Sequence, residues 1–346
     1  MFISGIGSSE ERIQINRHNV KYDTQYVTFQ VTATVQVRKL IEFLNLTVPK
    51  LHYRSRKLFI WCGIQSHNGI KKVLHARQNS DLLIADTEEI SLGGAKFHAR
   101  FSSIIDKHGD IHYIIDVPRI GNTIQRKMQK HMNSLFHYSG SNAFVLDLHL
   151  YSRRMPGLRN VSDSFIRGKN IEMKTLEDYF TKHPNHHSAN IEAVIDGKIP
   201  DDSKIWNIGR LCIRNQPAGR FLRRFTGEHL LLYDPQSEDS DLIYVLQEWT
   251  ANRAYQNLKT LVIRSEEEHG MDWREIMAPF QLQRFEPTTS RRPTHITYNT
   301  EIINMKSCDI EVSNYAYYEM KRSDGRRAFF RCNPGYINFF VYDDPE

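Results

Sequence analysis

The hydrophobic positions between residues 239 and 264 change from a helical period to an extended one. A single apolar helix face is predicted by four residues at the i, i+3, i+4, i+7 spacing: Leu242, Val245, Leu246 and Trp249. After a short turn, residues 258–263 read L-K-T-L-V-I, which is typical of a short strand covered on its core side. This segment therefore predicts a helix followed by a buried, parallel strand.

Helix and strand patterns alternate in the same way from residue 123 onwards. Helices are predicted over residues 124–138, from near Met173, and over residues 218–225. The strands predicted between them have the sequences AFVLDLHL, NIEAVID, NIGRLCIRN and HLLLY. Such alternation favours a parallel sheet flanked by helices.

Three of these strands share one spacing of large apolar residues. In each of three sets, the second residue follows the first by three positions and the third follows the second by two, as in the strand frame of leucine-rich repeats. The sets are Val145/Leu148/Leu150, Ile208/Leu211/Ile213 and Leu258/Leu261/Ile263. The intervals between the strands are unequal, whereas a regular solenoid has a fixed period. We therefore predict an α/β fold, an irregular leucine-rich-repeat-like stack of helix-strand units with a parallel sheet. An ordinary α/β sheet is the alternative.

The first third of the chain has strand patterns instead. Residues 57–64 and 27–37 favour strands, and residues 96–117 form two β-prone arms around a turn at residues 106–109. We predict two domains, a β-rich N-terminal region over residues 1–120 and an α/β domain over residues 121–346.

The chain ends with a predicted antiparallel β-hairpin. The sequence YYEMKRSDGRRAFFRC has Asp324-Gly325 as a two-residue turn, which places Arg322 opposite Arg327. Like charges that face each other destabilise a strand pair, and an acidic partner would relieve the repulsion. Arg322, Arg326 and Arg327 are therefore predicted to face a partner. The alternative is that they only keep an exposed edge soluble.

Composition restricts the function classes. The 346 residues are 40% hydrophobic, and 46 Lys and Arg exceed 40 Asp and Glu by 6, which gives a pI of about 9.0. The basic residues are dispersed, so a nucleic-acid partner is not expected. No apolar run is long enough to span a bilayer, so an intracellular protein, cytoplasmic or nuclear, without a membrane partner is expected. Four distant cysteines without C-x-x-C spacing predict buried reduced thiols.

Candidate chemistry is sparse. His183, His186 and His187 lie in a segment with Pro and Asn and without a nearby carboxylate or thiol ligand, which favours a solvated turn over a metal site. The acidic residues between 234 and 241 lack the glycine and terminal glutamate of a calcium loop, and a helix start explains them better. Neither G-x-S-x-G nor H-E-x-x-H occurs. No catalytic residue, metal or cofactor is therefore predicted.

The order of motifs from residue 121 onwards resembles the F-box-associated type 2 domain of the nematode F-box protein family. The matching features are Asp241-Leu242 at a helix start, L-x-x-W at residues 246–249, a leucine-rich strand, and the hairpin R-x-D-G-R at residues 322–326. The resemblance implies a substrate-recruiting adaptor of a cullin-RING ubiquitin ligase, in which an N-terminal F-box docks to the ligase.

The N-terminal region departs from that pattern. An F-box usually opens with a Leu-Pro step, but this chain has no Leu-Pro dipeptide and its first proline is Pro49. We therefore expect residues 1–120 to hold a degenerate F-box or none. Docking to the ligase depends on whether an F-box is present. The function expected is a non-enzymatic protein-protein interaction module that recognises a target protein. The alternatives are an enzyme whose site assembles only in three dimensions and a weak nucleic-acid binder.

Overall fold

The structure is a computed structural model. It describes residues 20–21, 26–27, 51–56, 59–66, 69–105, 111–119, 122–135, 142–148, 158–235, 238–265, 273–280, 282–284, 295–298, 300, 302, 305, 308–311, 317–333 and 335–342. The chain divides into two compact units, Met1–Val161 and Ser162–Glu346.

The described residues of the N-terminal unit include a mixed sheet, a separate pair of short strands and an α-helix. Its strands are β1 (Val20–Lys21), β2 (Tyr26–Val27), β3 (Leu51–Arg56), β4 (Phe59–Ser66), β5 (Gly69–Gln78), β6 (Glu88–Leu92), β7 (Ala95–Ile105), β8 (Ile111–Val117) and β9 (Asn142–Leu148), and its helix is α1 (Asn122–Leu135). The strands from β3 to β9 are hydrogen-bonded neighbours in the order β9-β3-β4-β5-β8-β7-β6. The pairs β3/β9 and β5/β8 are parallel, and the other pairs are antiparallel.

The predicted domain boundary between residues 120 and 121 stays a prediction. Strand β9 pairs with β3, so part of the helix-strand element that follows residue 121 belongs to the N-terminal compact unit. The predicted arms of the hairpin at residues 96–117 are confirmed as β7 and β8, with Ile105 opposite Ile111. The turn between them, and nearly all of residues 1–50, lie outside the described residues, so the question of an F-box stays open.

The C-terminal unit contains most of the helix-strand alternation. Its strands are β10 (Val161–Gly168), β11 (Asn170–Glu172), β12 (Ser188–Ile191), β13 (Val194–Asp196), β14 (Arg210–Arg214), β15 (His229–Tyr233), β16 (Thr260–Arg264), β17 (Gln283–Arg284), β18 (His295–Tyr298), β19 (Cys308–Glu311), β20 (Tyr318–Lys321), β21 (Arg327–Asn333) and β22 (Tyr336–Tyr342). Its helices are α2 (Met173–Lys182), α3 (Ala218–Arg224), α4 (Asp239–Thr250) and α5 (Trp273–Met277). The predicted helices near residues 173, 218 and 239 are confirmed.

The main sheet of this unit has the order β10-β12-β14-β15-β16-β22-β21-β20-β17. Strands β10 to β16 are parallel, and β22, β21, β20 and β17 continue the sheet in antiparallel pairs. Parallel strands require crossover connections, which the helices and loops between them supply. The fold is therefore mixed α/β with a parallel sheet and a C-terminal antiparallel part, as predicted. The repeat-like character of the stack stays a prediction.

Helices cover one face of this sheet. The Tyr179 hydroxyl of α2 lies 2.6 Å from the Ser164 hydroxyl of β10, and the Trp249 ring of α4 packs edge-on against Phe339 of β22, 4.9 Å between centroids. One register row of the sheet carries the residues that point to this side: Ser164, Ala189, Leu211, Leu230, Leu261 and Phe339. Trp249 is fully buried, which confirms it as a core residue.

The opposite face is covered differently. Cys212, Leu231 and Val262 point to this side because side chains alternate along a strand, and each is at most 2% exposed. They pack in one cluster with residues from the last part of the chain: Ile302, Tyr317, Phe329, Phe340 and Tyr342. Among the residues that the structure describes, no helix is long and apolar enough to cross a membrane.

Candidate interaction surface

A row of arginine and tyrosine side chains follows from the strand register. Arg214 of β14, Tyr233 of β15, Arg264 of β16 and Tyr336 of β22 are consecutive register partners. Each lies two positions from a residue of the buried Cys212-Leu231-Val262-Asn338 row and so points to the same face, opposite to the one that α2 and α4 cover. These four residues, named here the arginine-tyrosine row, lie at the carboxyl ends of the parallel strands, an edge of α/β sheets where ligands commonly bind.

The guanidinium groups of the row pack on tyrosine rings. The Arg214 Cζ atom lies 4.4 Å from the centroid of Tyr233, and the Arg264 Cζ atom lies 4.8 Å from the centroid of Tyr336. Arg331 of β21 approaches the same Tyr336 ring at 5.0 Å. At these distances each contact stabilises the arrangement by about 0.5–2 kcal/mol. The stacking therefore holds long side chains in defined positions on the surface.

The charges of the row are unevenly compensated. The Arg214 Nε atom lies 3.4 Å from the Glu192 carboxylate, and both side chains are 32% exposed. The Arg264 guanidinium donates a hydrogen bond of 3.3 Å to the Asn338 amide oxygen. Among the residues that the structure describes, Arg264 has no carboxylate within ion-pair distance, although it is only partly exposed. Since arginine stays protonated, the row holds positive charge that has lost some of its water.

The floor below the row is rigid and apolar. Burial raises the pKa of the Cys212 thiol to about 12, which makes it a packing residue and no nucleophile. Cys62, Cys212 and Cys332 are buried and are not in disulfides, as predicted. Tyr317 packs on this floor, and its hydroxyl accepts a hydrogen bond of 3.4 Å from Asn338, the residue that also contacts Arg264. The row is thus attached to a preorganised core.

The residue types of the row are those that dominate protein-protein contact sites. Tyrosine and arginine are enriched at the energetic centres of interfaces because each combines an apolar body with a polar end. The row thus holds guanidinium donors, while the Tyr336 hydroxyl is already hydrogen-bonded to the Asn333 side chain at 2.8 Å. The row can bind an anionic group through charge-assisted hydrogen bonds.

The predicted partner-facing arginines are placed differently from one another. Arg322 is 3% exposed, its Nε and Nη2 atoms donate hydrogen bonds of 2.9 and 2.7 Å to Asp324, and its Cζ atom lies 5.4 Å from the Trp249 ring. The hydrogen bonds from Arg322 lower the pKa of Asp324 to about 2. The next residue, Ser323, donates its backbone N–H to the Thr250 carbonyl, 2.8 Å, at the end of α4. Arg322 thus fastens the hairpin to a helix C-terminus, where positive charge is favourable.

The register predicted for this hairpin was wrong by one residue. Lys321, and not Arg322, pairs with Arg327, and Met320 pairs with Ala328. The turn has three residues instead of two, because the Arg322 N–H donates to the Arg326 carbonyl at 2.7 Å while Gly325 takes the left-handed conformation at a φ of 97°. The expected repulsion between Arg322 and Arg327 is therefore absent.

Arg326 and Arg327 also differ. Arg326 is exposed and donates a hydrogen bond of 3.4 Å to the Gln256 carbonyl, whereas Arg327 is paired with the buried Glu319 carboxylate at 2.6 Å. The three arginines therefore do not form one patch with a common environment. Partner contact at these positions stays a prediction, with Arg326 as the accessible member.

The histidine segment is more buried than predicted. His183 is 5% exposed and packs 4.7 Å from the Tyr179 ring, and His186 packs 4.9 Å from Phe180, while His187 is exposed as expected. Burial, assisted by Lys182, lowers the pKa of His183 to about 4. The prediction of a solvated turn is thus wrong for His183, because its ring completes the aromatic core of α2. Within the described part of the chain, no group of three metal-ligating side chains occurs.

A cleft of about 660 Å³ lies beside α3 and α4. The arginines on its wall already have partners: Arg223 donates to Asp241 at 2.7 Å, Arg224 lies 3.3 Å from Asp201, and Arg220 donates to the Ile199 carbonyl at 2.7 Å. Asp241, part of the motif that carried the resemblance, sits so close to Gly219 that any side chain there would collide with its carboxylate. The motif therefore joins α3 to α4.

A serine, a histidine and an aspartate also meet on strands β10 and β12. The Ser188 hydroxyl donates a hydrogen bond of 2.7 Å to Asp163, and the His187 Nδ1 atom lies 4.0 Å from the same carboxylate oxygen. Ser188 is fully buried and bound to the acid directly, with no hydrogen bond to the histidine. A nucleophile needs its hydroxyl exposed and bound to the base, so this cluster serves the sheet.

No family model, curated protein or solved structure matches this chain. Membership of the F-box-associated family therefore remains what the resemblance suggests. The arginine-tyrosine row was missed by sequence reasoning, although a signal exists. The core strands end in the sequences LCIR, LLLY and LVIR, where an arginine or tyrosine follows three apolar residues at the same register position.

Proposed function

We propose that the C-terminal unit is a protein-recognition module and that the arginine-tyrosine row is part of its contact surface. The observation that carries this proposal is the half-buried Arg264, which packs on Tyr336 and lies without a neighbouring carboxylate in the described structure. A fold gains little stability from such a charge, whereas a partner that supplies an anionic group gains both the Coulomb attraction and the apolar ring surface.

The role of a substrate-recruiting adaptor in a cullin-RING ubiquitin ligase is the more specific form of this proposal. Its support is the resemblance of the motifs at residues 241–249 and 322–326 to the F-box-associated family. These motif residues hold the unit together, since Asp241 binds Arg223 and Arg322 stacks near Trp249. The surface left free by this framework is then the part that selects the target, inside the cytoplasm or the nucleus.

Affinity purification of the full chain from cells, followed by mass spectrometry, tests both the general proposal of a recognition module and the specific proposal of a ligase adaptor. We expect a specific partner that is recovered with the wild type and lost with the double variant Arg264→Ala, Tyr336→Ala. The control is Arg224→Ala, which removes one positive charge from a helix on the other face of the sheet. Recovery of cullin and its adaptor would support the ligase role. Equal recovery of all partners by the double variant and the wild type would refute the contact surface.

A further inference from the structure

Strand β6 is the terminal strand of the N-terminal sheet, and its pairing is regular. It pairs with β7 without a bulge, from Glu88 opposite Ala99 to Leu92 opposite Ala95. It contains neither proline nor lysine, which commonly block a sheet edge. In the part of the chain that the structure describes, no strand pairs with β6 on the side away from β7. This side, named here the open edge, can accept a further strand.

The turn between β6 and β7 determines which backbone groups face the open edge. Gly93-Gly94 joins the strands with φ angles of 58° and 76°, as in a two-residue type I′ turn. The residues on either side of such a turn are hydrogen-bonded to each other, and bonded pairs then alternate with non-bonded pairs along the ladder. Counted back from Leu92, Glu89 and Ser91 fall in non-bonded pairs. Their N–H and C=O groups therefore point to the open edge.

Helix α1 holds this strand in place. Ile90 and Leu92 are 6% and 0% exposed, so one face of β6 is buried. The turn at Gly93 lies so close to α1 that any side chain there would collide with the Lys127 carbonyl. An edge that is fixed before binding loses little conformational entropy when a further strand is added.

Exposed apolar side chains lie directly before β6. Leu83 and Ile84 are 65% and 76% exposed, and they are the most exposed large hydrophobic side chains that the structure describes. They lie at the start of a short 3₁₀ helix, Ile84–Asp86, where the Thr87 hydroxyl donates a hydrogen bond of 2.6 Å to the Ile84 carbonyl. Burial of these side chains by a partner would add hydrophobic stabilisation to the main-chain hydrogen bonds of an added strand.

The charge around the open edge favours one kind of occupant. Residues 81–92 contain no basic residue and four acidic ones: Asp81, Asp86, Glu88 and Glu89. Lys96 of β7 pairs with Glu89 at 2.8 Å, and in the described structure the other three have no basic group within ion-pair distance. The Lys130 ammonium of α1 lies beside Gly94, at the far end of the strand. A second copy of β6 would bring further carboxylates to this edge, whereas a basic segment would neutralise those present.

We infer that β6 binds an extended segment of a partner protein as an added strand, and that basic residues alternate with apolar ones in this segment. Its main chain bonds to Glu89 and Ser91. Because side chains alternate along a strand, its basic residues lie on the face of Glu89 and its apolar residues continue the buried face of β6. Its end contacts Leu83 and Ile84. The site belongs to the N-terminal unit and does not rest on the function proposed for the C-terminal unit.

Fluorescence anisotropy with synthetic peptides tests the inference on the full chain. The probe is a labelled heptapeptide Lys-Val-Lys-Val-Lys-Val-Lys, and the matched control has the same composition with its four lysines in succession. We expect the alternating peptide to bind roughly fivefold more tightly than the control or better, because only its pattern places the lysines on one face of a strand.

Backbone methylation tests the added strand itself, with the wild-type protein. Two further probes carry N-methyl groups on all the lysines or on all the valines of the alternating peptide. Only one of these two sets of amides can face β6. We therefore expect one probe to lose affinity roughly tenfold or more, because its main-chain hydrogen bonds are lost, and the other to keep it.

Variants of β6 assign the binding to this strand. Ser91→Pro removes an N–H that points to the open edge and no bond to β7, so it should keep the fold and weaken the alternating peptide roughly tenfold or more. Ser91→Ala is the matched control and should leave the affinity unchanged. Glu88→Lys should weaken it roughly fivefold, whereas the same charge change at the exposed Asp202 of the C-terminal unit, Asp202→Lys, should not. Thermal unfolding shows whether each variant is folded.

Four results would overturn the inference. They are equal affinity for the alternating and the control peptide, equal affinity of the two methylated probes, a folded Ser91→Pro variant that binds like Ser91→Ala, and a wild-type dimer that Ser91→Pro dissociates in analytical ultracentrifugation, which would make a second copy the occupant. The Arg264→Ala, Tyr336→Ala variant should bind the alternating peptide like the wild type. Loss of its cellular partner therefore tests the proposed function separately.

Discussion

Arginines occupy comparable positions beside strands in the two units, but their surroundings differ. In the N-terminal unit Asp116 is fully buried, and both Arg77 and Arg100 bind its carboxylate, at 2.6 and 3.1 Å. In the C-terminal unit Arg264 packs on Tyr336 and lies beside an amide, with no acid next to it in the described structure. One arrangement satisfies a buried charge from within the fold, whereas the other holds a positive charge that we propose a partner binds.

The pKa of Asp116 shows how complete the first arrangement is. Burial alone would raise the pKa of this carboxyl, but the hydrogen bonds from Arg77 and Arg100 outweigh the loss of water and hold the pKa below its ordinary value. An acid that is protected in this way belongs to the architecture of the unit. Arginine thus has a structural role where it neutralises a buried acid, and we propose a binding role only where no described acid neutralises it.

Removal of the buried acid should have the largest effect. Asp116→Ala is expected to lower the free energy of unfolding by about 3 kcal/mol, because two neighbouring guanidinium groups lose their shared counter-charge. Asp116→Asn keeps the shape and should cost less. Urea unfolding of the two variants measures the difference. A loss of less than about 1 kcal/mol in the alanine variant would show that water solvates the two guanidinium groups about as well as the Asp116 carboxylate pairs with them.

Removal of Arg322, a structural arginine of the C-terminal unit, should have the next largest effect on the free energy of unfolding. Arg322→Ala should lower the free energy of unfolding by about 2 kcal/mol, because a buried charge-assisted pair with Asp324 and the packing near Trp249 are lost. Arg326→Ala, four residues along and exposed, is the control and should change it by less than about 0.5 kcal/mol. Equal costs for the two variants would contradict the role assigned to Arg322.

Acid should distinguish the units further. His183 has a folded pKa of about 4, below that of a free histidine, so the unfolded state binds a proton first as the pH falls. The stability from its neutral ring is present above about pH 6.5 and is lost between about pH 6.5 and 4. We expect a loss of at most about 2 kcal/mol between pH 7 and 5, removed by His183→Phe. The contribution of Asp116 is lost only below about pH 4.

Apart from the controls, Arg264→Ala is expected to have the smallest effect on stability and the greatest effect on binding at the arginine-tyrosine row. Arg264→Ala should change the free energy of unfolding by less than about 1 kcal/mol, since it removes a stacking contact and one hydrogen bond to Asn338. Urea unfolding beside Asp116→Ala measures the contrast. A loss of about 3 kcal/mol would instead make Arg264 a structural arginine and remove the reason to propose a contact surface at the row.

Local features of the fold were predictable because they depend on short-range chemistry. The apolar spacing of residues 242–249 and the triplets LCI, LLL and LVI were sufficient to predict α4 and the parallel strands. The burial of Trp249 followed from its place on the apolar stripe. The hairpin register was not predictable to the residue, since the choice between a two-residue and a three-residue turn depends on how Asp324 binds Arg322 and the Arg326 N–H.

The sequence by itself determined the α/β class, the order of helices and strands, and the absence of a recognisable catalytic motif, because periodicity and motif spacing are properties of neighbouring residues. Only the tertiary structure decided which arginines are satisfied. Arg214 and Arg264 are far apart in the chain, and the pairing of β14, β15, β16 and β22 brings each of them to a tyrosine ring. Charge compensation acts through space, and strand pairing across long crossovers sets which charges become neighbours.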